Sequence, residues 1–246
     1  MKQFTITLLL FIISITAHGV NVAAASNLKL VMEEMKTVFI KQHSNINIYL
    51  TFGSSGMLTQ QIINGANFDL FLSADKDCTH KIIEHKLNIG DLHTYAFGKL
   101  VLYSTSVDVV RLGMKSLNDT KVHKIAIANP SLASYGKSTI EVLKRINQYQ
   151  SVQKKLVIAE NISQCSQYLI SGNAEIGFTA LSLAMSYDMS SKGSYFIVPD
   201  RYYTPIEQTC LLIKTPNPTS EAVLFQKFIL SAAAKVIWKK YGYGVP

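Results

Sequence analysis

From Val20 onward the chain alternates short β-type runs with segments of helical period, and no other feature constrains its fold as strongly. That order is expected of α/β layers built on largely parallel strands. The run VNVAAA (20–25) predicts a strand of small residues. Ser26 then stands where a helix N-cap belongs, before Leu28, Val31, Met32, Met35 and Phe39 at helical spacing to Lys41. INIYLTF (46–52) alternates apolar with polar residues, as a strand does, and ends in Gly53-Ser54-Ser55-Gly56. A helix is predicted from Met57 to Asn64, closed by Gly65, then a strand at 68–74 and a helix capped by Asp75 and running to about Lys86.

A second set follows in the same style, with strands predicted at 98–104, 124–130, 155–160, 175–181 and 194–199. Helices fall between them at 137–148 and from Asn161 to near Gly172. IEQTCLLIK (206–214) lacks a helical period and reads as a long strand, and Ser220–Lys240 reads as one helix. No linker rich in Pro, Gly or Ser separates the sets. Two α/β lobes of similar size, with the chain crossing between them on strands near 95–99 and 205–210, satisfy this pattern. Lobe I takes 20–97 with 209–246, and lobe II takes 98–208. With 48% hydrophobic and 16% charged residues the chain has material for such cores, and disorder or collagen-like order is excluded.

Lys2 and the apolar run Ile6–Ala17 are too short for a bilayer span, and small residues at Ala17 and Gly19 offer a cleavage site. Residues 1–19 therefore read as a signal peptide that exports a soluble product, and no cysteine at that site supports lipid attachment. The formal charge of +8 is scattered, so a nucleic-acid surface is disfavoured and a mild field attracting a small anion fits better. The three cysteines, Cys78, Cys165 and Cys210, are too few for a disulfide framework, and their odd number leaves at least one thiol free.

Four strand-to-helix turns carry polar residues without charge: Ser26-Asn27, Gly53-Ser54-Ser55-Gly56, Ser134-Tyr135-Gly136 and Asn161-Ile162-Ser163. Ligands of open α/β sheets bind beyond the carboxyl ends of strands, where helix amino termini offer unpaired N–H groups. Neutral donors at four matching places suit a dehydrated oxyanion, although any single serine among them could simply cap its helix. Catalysis finds less support. Ser54 and Ser55 fit G-x-S-x-G poorly, no phosphate-binding glycine motif occurs, and His80 and Glu84 near Cys78 read as a solvated helix face rather than a metal site.

The segments VAAASN (22–27), GSSGMLTQQIINGANFDLFLSAD (53–75), ASYGKST (133–139), ENISQ (160–164), GNAEIGFTAL (172–181) and KKYGY (239–243) resemble the periplasmic molybdate-binding proteins of ABC transporters, in family order. The resemblance implies a type II periplasmic-binding-protein fold: two α/β lobes, joined by two crossing strands, closing on one tetrahedral oxyanion in the cleft between them. It also implies a monomer that delivers molybdate to a membrane permease, without cofactor or catalysis. Carried over by position, the anion contacts fall on Ser26, Asn27 and Ser55 from lobe I and on Tyr135 and Ile162 from lobe II, Ile162 through its backbone N–H. Ser134 stands where the family commonly has Pro, and Asn67 follows Gly65-Ala66 where it has Pro. Both departures alter loop stiffness more than donor chemistry. Ala180 replaces a Tyr that some members use, in keeping with the branch that has Asn after the first Ser or Thr. Receptors for tungstate or sulfate are the alternatives within the class, and a secreted serine hydrolase is the alternative outside it.

Overall fold

A computed structural model describes residues 19–216 and 220–246. The expected signal peptide lies outside the described residues except for Gly19, which opens the first strand opposite Asn47. The first sheet takes β1 (Gly19–Ala25), β2 (Asn47–Gly53), β3 (Leu70–Ser73), β4 (Asn88–Gly98) and β10 (Ile206–Ile213), in the order β2-β1-β3-β10-β4. The second takes β5 (Leu100–Ser104), β6 (Ile125–Ala128), β7 (Leu156–Ala159), β8 (Ile176–Ala180) and β9 (Ser194–Ile197), in the order β7-β6-β8-β5-β9. The described chain passes between the sheets at Lys99 and again through residues 198–205. An ion pair from Lys99 to Asp200 joins the two crossings, and Tyr203 bridges them as well, accepting from the Leu100 N–H and donating to Asp200.

Helix α1 (Lys29–Gln42) continues a 3-10 turn at Ser26–Leu28, and α2 (Ser55–Ile63) and α3 (Lys76–Glu84) follow β2 and β3. In the second half come α4 (Val109–Leu112), α5 (Ser134–Arg145), α6 (Tyr149–Val152), α7 (Ile162–Ile170), α8 (Leu181–Ala184) and α9 (Tyr187–Ser190). Helices α10 (Ser220–Ile229) and α11 (Ala232–Lys240) return to the first sheet. The small residues of β1 explain its central place. Val22 and Ala24 bury against Leu28, Met32, Met35 and Phe39, while Ala23 faces the opposite cluster of Leu58, Ile62, Phe71 and Leu211. Covering both faces removes each such side chain from water, at about 1.5–3 kcal/mol per large aliphatic residue.

Several expectations need correction. The sheets are mixed rather than largely parallel: β10 runs antiparallel to β3 and β4, and β5 runs antiparallel to β8 and β9. The strand expected at 98–104 begins at Leu100, and residues 88–97, given no element from sequence, form with Gly98 the longest of these strands. Their signal is weak because β4 is an edge strand, half of it exposed, with Gly90 at φ +68° and register shifts against β10. The carboxyl-terminal helix is two helices, because Ser231 caps α11 by accepting from the Ala234 N–H at 3.2 Å. Helices α2 and α5 start two and three residues earlier than expected, at Ser55 and Ser134. That earlier start brings polar residues into their first turns.

Candidate functional site

The carboxyl ends of β1, β2, β6 and β7 each feed a helix amino terminus, and these four termini meet between the sheets. One small cavity lies there, lined by Ala25, Ser26, Asn27, Gly53, Ser54, Ser55, Ala74, Ala133, Ser134, Tyr135 and Ile162. All five residues carried over from the resemblance are among them. The cavity measures about 10 Å³ at the centre of a water-sized sphere, roughly room for one such sphere, so the halves are closed upon it.

The lining contains no Asp, Glu, Lys, Arg or His. Its donors are backbone N–H groups and hydroxyls. The N–H groups of Ser26, Asn27, Ser55, Tyr135 and Ile162 fall in the first turns of their helices, where no intrahelical carbonyl precedes them. The aligned peptide dipoles add partial positive charge at the same place. Such a set can hold an anion without a counter-ion.

The capping reading of the two serines does not describe them. Ala25, not Ser26, occupies the N-cap of the first turn. Ser55 is the first residue of α2, and its Oγ accepts from the Ala74 N–H at 2.9 Å, leaving its own proton free to donate. Ser54 is the N-cap, yet its side chain makes no cap bond, and its Oγ is buried without a partner. Sequence reasoning passed over Ser54. Only the orphaned hydroxyl marks it, since removing a buried polar group from water without a partner costs about 1–3 kcal/mol unless something else occupies it.

Direct bonds cross the cleft around the cavity. The Gly56 N–H donates to the Leu132 carbonyl at 2.9 Å, and Ser163 Oγ donates to the Ser26 carbonyl at 2.8 Å. Ser182 Oγ donates to the Asn27 carbonyl at 3.0 Å. The Ser134 hydroxyl donates to the Asp75 carboxylate, a bond that a proline at this position could not make. Farther out, Lys137 pairs with Asp77 at 2.5 Å, and this holds the Asp77 carboxyl below its ordinary range. Burial pushes the Tyr135 hydroxyl well above its ordinary pKa, so it stays protonated and neutral at any physiological pH.

The side chain of Asn27 is not aimed at the cavity alone. Its Nδ2 donates to Gln208 Oε1 at 3.1 Å and to the Tyr243 hydroxyl at 2.9 Å. Gln208 and Tyr243 were not foreseen as supporting residues. The detectable signal was the polar run Glu207-Gln208-Thr209 at the start of a strand that is apolar from Cys210 to Ile213. The cysteines take no part in the cavity: all three are buried and free, and burial pushes the Cys78 and Cys210 thiols up to about 12. Cys78 turns inward while His80 and Glu84 are exposed, and no group of three metal-ligating side chains occurs among the described residues.

Two mixed α/β halves, crossed twice by the chain and closed over a charge-free cavity of N–H groups and hydroxyls, define a solute receptor of the clamp type. The chain belongs to the bacterial extracellular solute-binding protein family, whose pattern matches residues 20–244. It is 35% identical over 229 residues to the molybdate-binding protein ModA of Rhodobacter capsulatus, covering 92% of this chain and 88% of that protein. To the molybdate-binding protein ModA of Azotobacter vinelandii it is 33% identical over 232 residues, covering 93% and 91%. The solved periplasmic molybdate-binding protein of Azotobacter vinelandii superposes with a TM-score of 0.87 at 31% identity, over 92% of this chain and 99% of that one.

Proposed function

We propose that the chain is an extracytoplasmic receptor that captures one molybdate anion and delivers it to the permease of an ABC importer. The observation that carries this reading is the closed, charge-free cavity ringed by four helix amino termini, in a chain similar along most of its length to proteins named for molybdate binding. Ser26, Asn27 and Ser55 from the first half and Tyr135 and Ile162 from the second are the proposed contacts, with Ser54 added for its unpartnered hydroxyl. Each hydrogen bond to the charged ligand contributes about 1.5–3 kcal/mol. A dianion fully dehydrated by neutral donors needs many of them at once, which only the closed form supplies.

The proposed cycle is capture, closure, delivery and reopening, with no bond in the ligand made or broken. Residues 1–19 act as the export signal, and the mature chain works as a soluble monomer outside the cytoplasm. No helix among the described residues is long and apolar enough to cross a membrane, which accords with that role. Tungstate, close to molybdate in size and charge, is expected to bind too, whereas the smaller sulfate reaches fewer donors when the walls are closed. A thermal-shift series with the three anions tests the reading. Ligand at 100 times its dissociation constant adds about 2.7 kcal/mol, a rise of about 5–10 °C for a chain of this size. Equal shifts with sulfate and molybdate would remove the claimed selectivity.

A further inference from the structure

Gln208 lies on β10 of the first sheet, fully buried, close to the second crossing. Its amide reaches both walls of the cavity. Oε1 accepts from Asn27 Nδ2 at 3.1 Å and from the Tyr95 hydroxyl at 3.0 Å, and Nε2 donates to the Tyr135 hydroxyl at 3.2 Å. Asn27 belongs to the turn that follows β1, and Tyr135 to the first turn of α5 in the other half. One side chain therefore ties a proposed contact of one wall to a proposed contact of the other.

The surroundings are built to keep it there. Gly98, the last residue of β4 before the first crossing, has no side chain where one would meet the Tyr135 Oη at 2.3 Å and Gln208 Nε2 at 2.6 Å. Tyr243 accepts from the same Asn27 Nδ2 at 2.9 Å, also contacts Ser182 of the second half at 3.0 Å, and stacks edge-on against Trp238. The single Tyr95 hydroxyl proton is shared between the Ser73 carbonyl at 2.9 Å and Gln208 Oε1 at 3.0 Å, and the Tyr95 ring lies 4.9 Å from the same Trp238 ring. A buried glutamine with both ends of its amide engaged is costly to strand, so the Tyr135 bond favours the closed form over any form in which the walls have parted.

We infer that Gln208 is a positioning residue for anion capture, one that sets the Asn27 turn and the Tyr135 turn in register when the cleft shuts. It touches no ligand atom itself. The inference rests on the molybdate reading given above, and it extends that reading to the coupling between closure and donor geometry.

The test is a double-mutant cycle on Gln208→Met, which keeps length and bulk while removing both amide ends, and Tyr135→Phe, which removes only the hydroxyl. Molybdate affinity is measured by calorimetry, and closure is followed through the emission of Trp238, the one tryptophan of the chain. Each single variant is expected to lose about tenfold in affinity, by the usual worth of such a buried bond. The double variant should lose scarcely more than either alone, and the ligand-induced change of Trp238 emission should shrink in step. If Gln208→Met fails to fold, Tyr95→Phe decides the matter, because Tyr95 is no proposed contact and its hydroxyl holds Gln208 Oε1: a loss of about twofold or more with the fold retained supports the inference, and a smaller loss overturns it. Losses that multiply in the double variant, or a Gln208→Met protein that binds and responds as wild type does, also overturn it. A wild-type chain that binds no molybdate refutes the functional reading itself, an outcome distinct from these.

Discussion

Gly56→Ala separates closure from folding. Gly56 is the second residue of α2, its φ lies outside the left-handed region, and its N–H donates to the Leu132 carbonyl across the cleft. A Cβ placed on it would meet Leu132 O at 2.9 Å and Leu132 Cα at 3.1 Å. Both are backbone atoms, so no rotamer change relieves the crowding. The first half alone accepts the methyl group, and replacing Gly by Ala in a helix adds about 0.5–1 kcal/mol to folding stability. The closed form must instead move α2 away from Leu132, and overpacking of this kind costs about 1–3 kcal/mol. The unliganded variant is therefore expected to melt at or slightly above the wild-type temperature, while molybdate affinity falls by about 5- to 150-fold. Scanning calorimetry without ligand and titration calorimetry with it read the two terms separately. Affinity within twofold of wild type, or a loss of affinity matched by a loss of stability, would refute the reasoning.

Ser54→Ala removes a buried hydroxyl that has no protein partner, so ligand-free stability should hold or rise while molybdate affinity drops about tenfold. Ser55→Ala also strands the Ala74 N–H, so it should lose both affinity and stability, and paired melting and binding curves distinguish the two serines. Replacing Cys78, Cys165 and Cys210 together with Ala should leave binding intact, and native protein should resist a thiol reagent because all three are buried. No cavity-lining side chain titrates near neutrality, so affinity should be flat from about pH 6 to 8, where His ordinarily titrates. Below that range the Asp77–Lys137 pair matters. The lowered Asp77 contributes stability above its unfolded value and loses it as pH falls through its folded one. The raised Lys137 contributes below its unfolded value and loses it as pH rises through its folded one. Both ends are exposed, so the resulting loss of affinity in acid should be shallow.

The alternation of strands and helices was legible because β1, β3, β6 and β8 are short, buried and bounded by polar turns. The edge strand β4 was not, since its outer residues face water and need no apolar pattern. The site was legible at its turns, where uncharged polar residues follow strands. It was illegible in its supports, because hydrogen bonds such as that from Asn27 to Tyr243 join residues far apart in the chain, and no local pattern encodes them. Strand direction was likewise set by contacts of distant sequence, with β10 inserted between β3 and β4.

The proposal that the cavity takes molybdate by shutting two walls on it meets its most direct test in a calorimetric titration of the chain, without residues 1–19, against molybdate and sulfate in one buffer. One molybdate per chain is expected, bound at least about 100-fold more tightly than sulfate, a gap of about 2.7 kcal/mol. Comparable affinity for the two anions, or no heat with molybdate, would contradict it.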